Sequence, residues 1–130
     1  MSVVVRRATP DDLVALARVL DGALVDIDAT TVERRAAAGE ALRADDDGRA
    51  VGVLVRDGPL IRALAVRRDR RRQGIGAALV ERAAAATDRL VADCRPGVAG
   101  FYRACGFRVV EREGRAYGVR ADEGESRVRG

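Results

Sequence analysis

Histidine, lysine and tryptophan are absent from the 130-residue chain, and phenylalanine and tyrosine together supply only four aromatic rings. Without histidine there is no Ser-His-Asp triad, no Cys-His pair and no His-ligated zinc; without lysine there is no Schiff base. The four aromatics (Phe101, Tyr102, Phe107 and Tyr117) are too few and too clustered for the stacking platforms that bind single-stranded nucleic acid. Cysteine is confined to Cys94 and Cys105, eleven apart and without CxxC spacing. That predicts free thiols in an ordinary core. The N-terminal MSVVVRRATP lacks the apolar segment of a secretory signal, and no run approaches the roughly 18 apolar residues of a membrane span. A cytoplasmic protein with no membrane partner is expected.

What the chain does contain is aliphatic bulk and charge. Hydrophobic residues make up 48% and charged residues 34%, enough for one core in a length that suits one domain. All 24 basic residues are arginine and the net charge is +4, which raises the question of a polyanion partner. The distribution argues against it. Acids are interleaved with arginines almost everywhere, and the only dense basic block is Arg67, Arg68, Arg70, Arg71 and Arg72. Outside that block 19 arginines face 20 acids. One basic patch on a mixed surface suits a small anionic ligand, and no nucleic-acid partner is expected.

Val3–Val5 reads as a first strand. Thr9-Pro10-Asp11-Asp12 is a helix start, and Leu13, Leu16, Ala17, Leu20 and Leu24 form its apolar stripe. Thr30 or Thr31 is expected to cap a second helix that Gly39 stops. Ala50–Val55 and Leu60–Val66 are apolar strands separated by an Arg56-Asp57-Gly58-Pro59 turn. A helix is predicted from Gly74 to about Arg89, a short strand over Leu90–Asp93 and a short helix over Val98–Cys105. A last hairpin, Arg108–Glu111 with Tyr117–Arg120, precedes a polar stretch over residues 122–130 that reads as a flexible tail. The domain is therefore placed at residues 1–121. The order β-α-α-β-β-β-α-β-α-β-β predicts an α/β fold with an antiparallel early sheet and one central crossover helix.

The informative stretch is Leu60 to Gly76: a buried strand, a basic turn, then Arg71-Arg72-Gln73-Gly74-Ile75-Gly76 opening a helix. Glycines there allow close backbone approach, and the free N–H groups of a first helical turn favour a phosphate. Walker A is impossible without lysine, and the Rossmann fingerprint is incomplete. A tight packing turn accounts for the glycines equally well.

The whole stretch is more specific. Arg71-x-x-Gly74-x-Gly76, five residues after Val66, resembles the acyl-CoA signature Arg/Gln-x-x-Gly-x-Gly/Ala of the GNAT superfamily of N-acetyltransferases. Phe101-Tyr102-Arg103-Ala104-Cys105-Gly106-Phe107 is similar to the family's FYxxxGF segment, and the element order matches over nearly the complete chain. The resemblance implies a single-domain GNAT-like fold, with a mixed central sheet of about six to seven strands and about four helices. It also implies acetyl-CoA as cosubstrate, no metal, and direct transfer to an amine in a ternary complex.

By position, the backbone N–H groups of Arg71, Arg72, Gln73, Gly74, Ile75, Gly76 and Ala77 would cradle the CoA pyrophosphate. Arg67, Arg68, Arg70 and Arg72 would add positive potential for the 3′-phosphate and adenosine end. The exposed edge of Leu64, Ala65 and Val66 would pair with the pantetheine amides. Tyr102 matches the general acid; a core aromatic is the alternative reading. Asp93 is the best single candidate for the base, against an exposed loop acid. Asp26 and Asp28 would face the acceptor side, either to hold a cationic amine or simply as solvated loop acids. Arg95, where many members carry Asn, and Val98, where Ala is common, depart from the pattern; the Arg95-Pro96-Gly97 segment is thus expected to be remodelled at the sulfur end, in a way that suggests an anionic group on the acceptor. The acceptor itself is left open among small-molecule and peptide amines, and a homodimer through terminal strands is an arrangement the resemblance admits. A CoA-binding module without catalysis is the competing expectation.

Overall fold

A computed structural model describes residues 3–23 and 25–121. The N-terminal strand β1 (Val3–Arg7) leads through a 3-10 turn at Pro10–Asp12 into α1 (Leu13–Gly22) and α2 (Ala29–Ala37). Strands β2 (Ala41–Asp46), β3 (Arg49–Asp57) and β4 (Leu60–Val66) then form a meander. Helix α3 (Ile75–Ala85) crosses to β5 (Arg89–Cys94), and α4 (Ala99–Ala104) precedes the hairpin of β6 (Arg108–Arg112) and β7 (Arg115–Ala121). The predicted order is the observed one. Leu24 of the α1 stripe and the tail at 122–130 lie outside the described residues.

Local chemistry sets several boundaries. Asp12 accepts the Thr9 N–H at 2.8 Å and so fixes the entry to α1. The cap of α2 is Asp28, which accepts the Thr31 N–H at 2.7 Å, and not either threonine. Helix α3 stops at Ala85, short of the predicted Arg89, because Arg89 pairs with Ala121 across β5 and β7. Arg56 and Asp57 extend β3, leaving Gly58-Pro59 as the turn.

The seven strands form one sheet in the order β1-β2-β3-β4-β5-β7-β6, antiparallel except where β4 meets β5. One face of β2–β4 is covered by α1 and α2, with Leu16, Val19, Leu20, Val32 and Ala36 against Ala41, Val53, Val55, Ala63 and Ala65. On the other face, Ile75, Leu79, Val80 and Ala83 of α3 join Tyr102, Leu42, Leu54, Leu90 and Phe107 in a second apolar cluster. Fully burying a Leu or Val in such a cluster contributes roughly 1.5–3 kcal/mol. Gly52 lets α3 lie close to β3, since a Cβ there would stand 2.9 Å from Ile75 Cγ2.

The junction of β4 and β5 positions the site. Only Leu60 and Val91 are paired in parallel register, and the Val91 N–H donates to the Pro59 carbonyl at 2.7 Å. On its other edge β4 is bulged: Val55 faces Ala63 and Arg56 faces Ile61, leaving Arg62 as the extra residue. A bulge bends its strand and increases the twist, so β4 turns away from β5 beyond the junction.

Candidate active site

The diverging strands open a cleft of about 790 Å³. Its walls are Leu64, Ala65 and Val66 of β4, Arg70, Arg71, Arg72 and Gly74 of the following loop, Ile75, Gly76 and Ala77 of α3, and Arg95, Val98 and Phe101 near α4. Ala23 and Val25, beyond the end of α1, close the side toward the other face of the sheet. Of the residues expected to meet a cofactor, three do not line this cleft: Gln73, whose Oε1 accepts from Arg70 Nε at 3.1 Å, and Arg67 and Arg68, which line a separate pocket beside α1. Beyond Leu60, β4 has no ladder partner on its β5 side among the described residues, so that edge retains backbone groups able to pair with an extended ligand.

The loop from Arg67 to Gly74 is built for close approach to a ligand. Gly74, at φ +82, caps α3 in the left-handed region with open space around its missing Cβ. The first N–H groups of α3 have no intrahelical acceptor and carry the positive end of the helix dipole. Gly76 serves packing as well: a Cβ there would lie 3.2 Å from Phe101 Cε1 and Cζ. Arg70 is held by Asp46 at 2.6 Å, and Arg71 Nε donates to the Val66 carbonyl at 3.2 Å. The four charged residues lining the cleft are all arginines, and no described carboxylate lines it. An extended molecule with amides at one end and phosphates at the other matches this wall in shape and charge.

Tyr102 is 6% exposed, with its ring edge-on to Phe101 and Phe107 at centroid distances of 5.1 and 5.0 Å. Burial pushes its phenol up to about 12. Its hydroxyl makes no hydrogen bond among the described residues, yet no buried side-chain oxygen lacks a partner there, so the hydroxyl reaches solvent. The structure thus gives Tyr102 a core ring; its neighbour Phe101 lines the cleft and Tyr102 does not.

Strand alternation sends Leu90 and Ala92 into the core beside Tyr102 and puts Asp93 on the opposite face of β5. There Asp93 Oδ1 accepts from Arg115 Nη2 at 2.8 Å and Nε at 3.0 Å, both side chains about half exposed. This partner was not foreseen: Arg115 is distant in sequence and arrives only through the pairing of β5 with β7. Asp28 is committed to capping α2, and Asp26 is exposed, with neither at the cleft wall. Burial raises both thiols, Cys94 and Cys105, which disfavours thiolate nucleophiles. Among the described residues no cluster of His, Cys, Asp and Glu side chains is gathered as for a metal, and no helix is long and apolar enough to cross a membrane.

Comparison with known proteins gives this geometry a family. No curated protein matches the sequence. Among solved structures, Ard1 from Thermoplasma volcanium superposes with TM-score 0.78 at 18% identity, covering 94% of this chain and 99% of that one. The PaiA N-acetyltransferase from Thermoplasma acidophilum, in complex with coenzyme A, gives 0.76 at 14% identity over 93% and 99%. The diaminobutyrate acetyltransferase EctA from Paenibacillus lautus, in complex with L-2,4-diaminobutyric acid and coenzyme A, gives 0.71 at 15% identity over 92% and 95%. These likenesses establish the fold. The model of the acetyltransferase (GNAT) domain matches residues 37–109, from the end of α2 through the cleft to β6, and the chain belongs to that family.

Proposed function

We propose that the protein is an acetyl-CoA-dependent N-acetyltransferase that passes the acetyl group directly to an amine while both substrates are bound. The observation that carries the proposal is the one-pair junction of β4 with β5, which opens onto the N–H groups of α3. The free edge at Leu64–Val66 would pair with the pantetheine amides, and the N–H groups from Arg71 to Ala77 would hold the diphosphate. Arginines from both walls neutralise its charge. The family resemblance and the coenzyme A in the structures of PaiA and EctA support this ligand.

Tyr102 and Asp93 lie on opposite faces of β5, which suits opposite proton duties. The amine nitrogen attacks the thioester carbonyl from the open face, and Asp93, directly or through water, takes the proton that nitrogen loses. The C–S bond breaks and the Tyr102 O–H protonates the departing thiolate. The resulting phenolate then regains a proton from solvent. Neither raised thiol is suited to an acyl-enzyme, which supports direct transfer. An amine, small or peptidic, is the acceptor class this scheme requires.

A second reading, a CoA-binding module without turnover, draws on the cleft's lack of a carboxylate and the engagement of Asp93 by Arg115. Two measurements separate the alternatives. Acetyl-CoA should raise the melting temperature in either case, and its failure at saturating concentration removes both. Release of free thiol with a panel of amines should then follow only if the protein is an enzyme.

A further inference from the structure

The apolar cluster under α1 and α2 takes strand residues from β2, β3 and β4 and none from β5, β6 or β7. Over those last three strands the same face of the sheet lies open. Its middle is apolar: Val110 pairs with Tyr117, and Val119 pairs with Val91 on one side and Arg108 on the other. Val110, Tyr117 and Val119 are 51%, 43% and 40% exposed and adjoin one another, and contiguous apolar exposure marks a surface that a partner covers. Its rim is basic. Strand alternation puts Arg108, Arg112 and Arg115 on this face, whereas Glu111 points the other way and meets Arg103 of α4 at 3.4 Å. Asp93 is the one acid of the three strands on it. Arg112 and Arg115 stand directly opposite each other in the hairpin, a like-charge pairing that costs stability. Arg115 relieves it through Asp93, but Arg108 and Arg112 engage no carboxylate among the described residues. Three arginines against one acid around an apolar centre complement an acidic, partly apolar partner.

The dimensions select the kind of partner. Arg108 and Arg112 are about 14 Å apart along β6, and three strands span about 10 Å. That exceeds a single small amine and suits an extended segment of a few residues. It is also far below the roughly 800 Å² that each partner of a stable dimer buries, and a second copy would set arginines against arginines. Asp93 lies within the face, opposite Tyr117. Arg115 donates twice to its Oδ1 and leaves Oδ2 without a partner among the described residues, so an amine borne on a docked segment would meet that oxygen. We propose that the open face of β5, β7 and β6 docks an acidic polypeptide segment and delivers its amine to Asp93. The delivery rests on the acetyltransferase reading; the docking does not.

The probe is an octapeptide with a free amino terminus and four Asp or Glu residues, labelled at its C-terminus with fluorescein and followed by anisotropy. A comparison peptide carries Asn and Gln in place of the acids. The acidic peptide should bind the native chain about tenfold more tightly, and added salt should weaken it. Arg112→Glu should weaken the acidic peptide about tenfold, and Val110→Ser should weaken both peptides. Arg34→Glu, the same change of charge on exposed α2, should leave binding unchanged. Melting curves show which variants are folded, and Arg108→Glu supplies the same test should Arg112→Glu unfold. Equal binding of the two peptides, or indifference to Arg112→Glu, overturns the docking surface. So does a dimer of the native chain that Arg112→Glu tightens or dissociates in sedimentation, since a second copy then holds the face. Binding that appears only when Asp122→Asn, Glu123→Gln and Glu125→Gln are introduced into the full chain also overturns it, since the chain's own last residues are then the occupant. An acidic peptide that binds but is not acetylated on addition of acetyl-CoA upholds the docking and refutes the delivery.

Discussion

Tyr102→Phe removes one oxygen from a residue whose ring and hydroxyl have separable duties. The ring touches Phe101 and Phe107 edge-on and is retained by phenylalanine. The hydroxyl has no described hydrogen-bond partner, so no bond is lost and the stability change should stay within about 0.5 kcal/mol. Burial holds the phenol at about 12. At pH 8 only about one molecule in 10,000 is therefore phenolate, by the one-unit-per-tenfold rule. The acid is protonated across the usable range, so its loss should lower kcat by a uniform factor between about pH 6 and 10. General-acid removal costs about 100- to 10,000-fold, which corresponds to about 3–5 kcal/mol in the barrier. The assay is continuous thiol release with an amine accepted by the native protein, alongside melting curves with and without acetyl-CoA. Equal kcat in Tyr102→Phe refutes the acid role. A loss of activity accompanied by a large fall in Tm would assign Tyr102 to packing alone.

Gly76→Glu should abolish the acetyl-CoA-induced rise in Tm, because its Cβ meets Phe101 at 3.2 Å and its carboxylate opposes the bound phosphates; an undiminished rise places the ligand elsewhere. Asp93→Asn should lower kcat about 100-fold while leaving acetyl-CoA binding intact; unchanged turnover removes Asp93 from the base role. Asp12 is held at about 2, below its ordinary 3.8, first by its hydrogen bond from Arg6 and then by the Thr9 N–H. A depressed carboxylate stabilises the fold fully above the unfolded value and ceases to do so as pH falls through the folded one. About 2 kcal/mol should accordingly disappear between roughly pH 4 and 2. Asp12→Asn should flatten that part of the stability profile, as followed by denaturant unfolding across pH.

The strands and the ligand loop were legible because they rest on local pattern. Leu60–Val66 is an uninterrupted apolar run apart from Arg62, and the Gly74–Gly76 turn carries its own chemistry. Features that depend on register carry no such local signal. That Arg62 is a bulge is visible only once Val55 and Arg56 are paired with Ala63 and Ile61. The Asp93–Arg115 contact requires β7 to lie beside β5, and Arg18 shares a pocket with Arg67 and Arg68 only because α1 packs over β3 and β4. At the start of α2, Asp28 prevailed over two threonines because its carboxylate is the better acceptor for the Thr31 N–H, a capping role that neither an amine-binding nor a solvated loop acid would announce in sequence.

The single pair joining Leu60 to Val91 also bears on how the protein unfolds. In backbone hydrogen bonding the sheet is two ribbons, β1 to β4 and β5 to β7, nearly severed at that point. What unites them is side-chain packing beneath α3, where Leu42 and Leu54 of one ribbon share a cluster with Leu90 and Phe107 of the other. The two halves can therefore open with different free energies, and amide exchange in β6 and β7 can proceed without exposing β2 and β3. A ligand seated as an added strand between them would bridge the gap and make opening more nearly all-or-none.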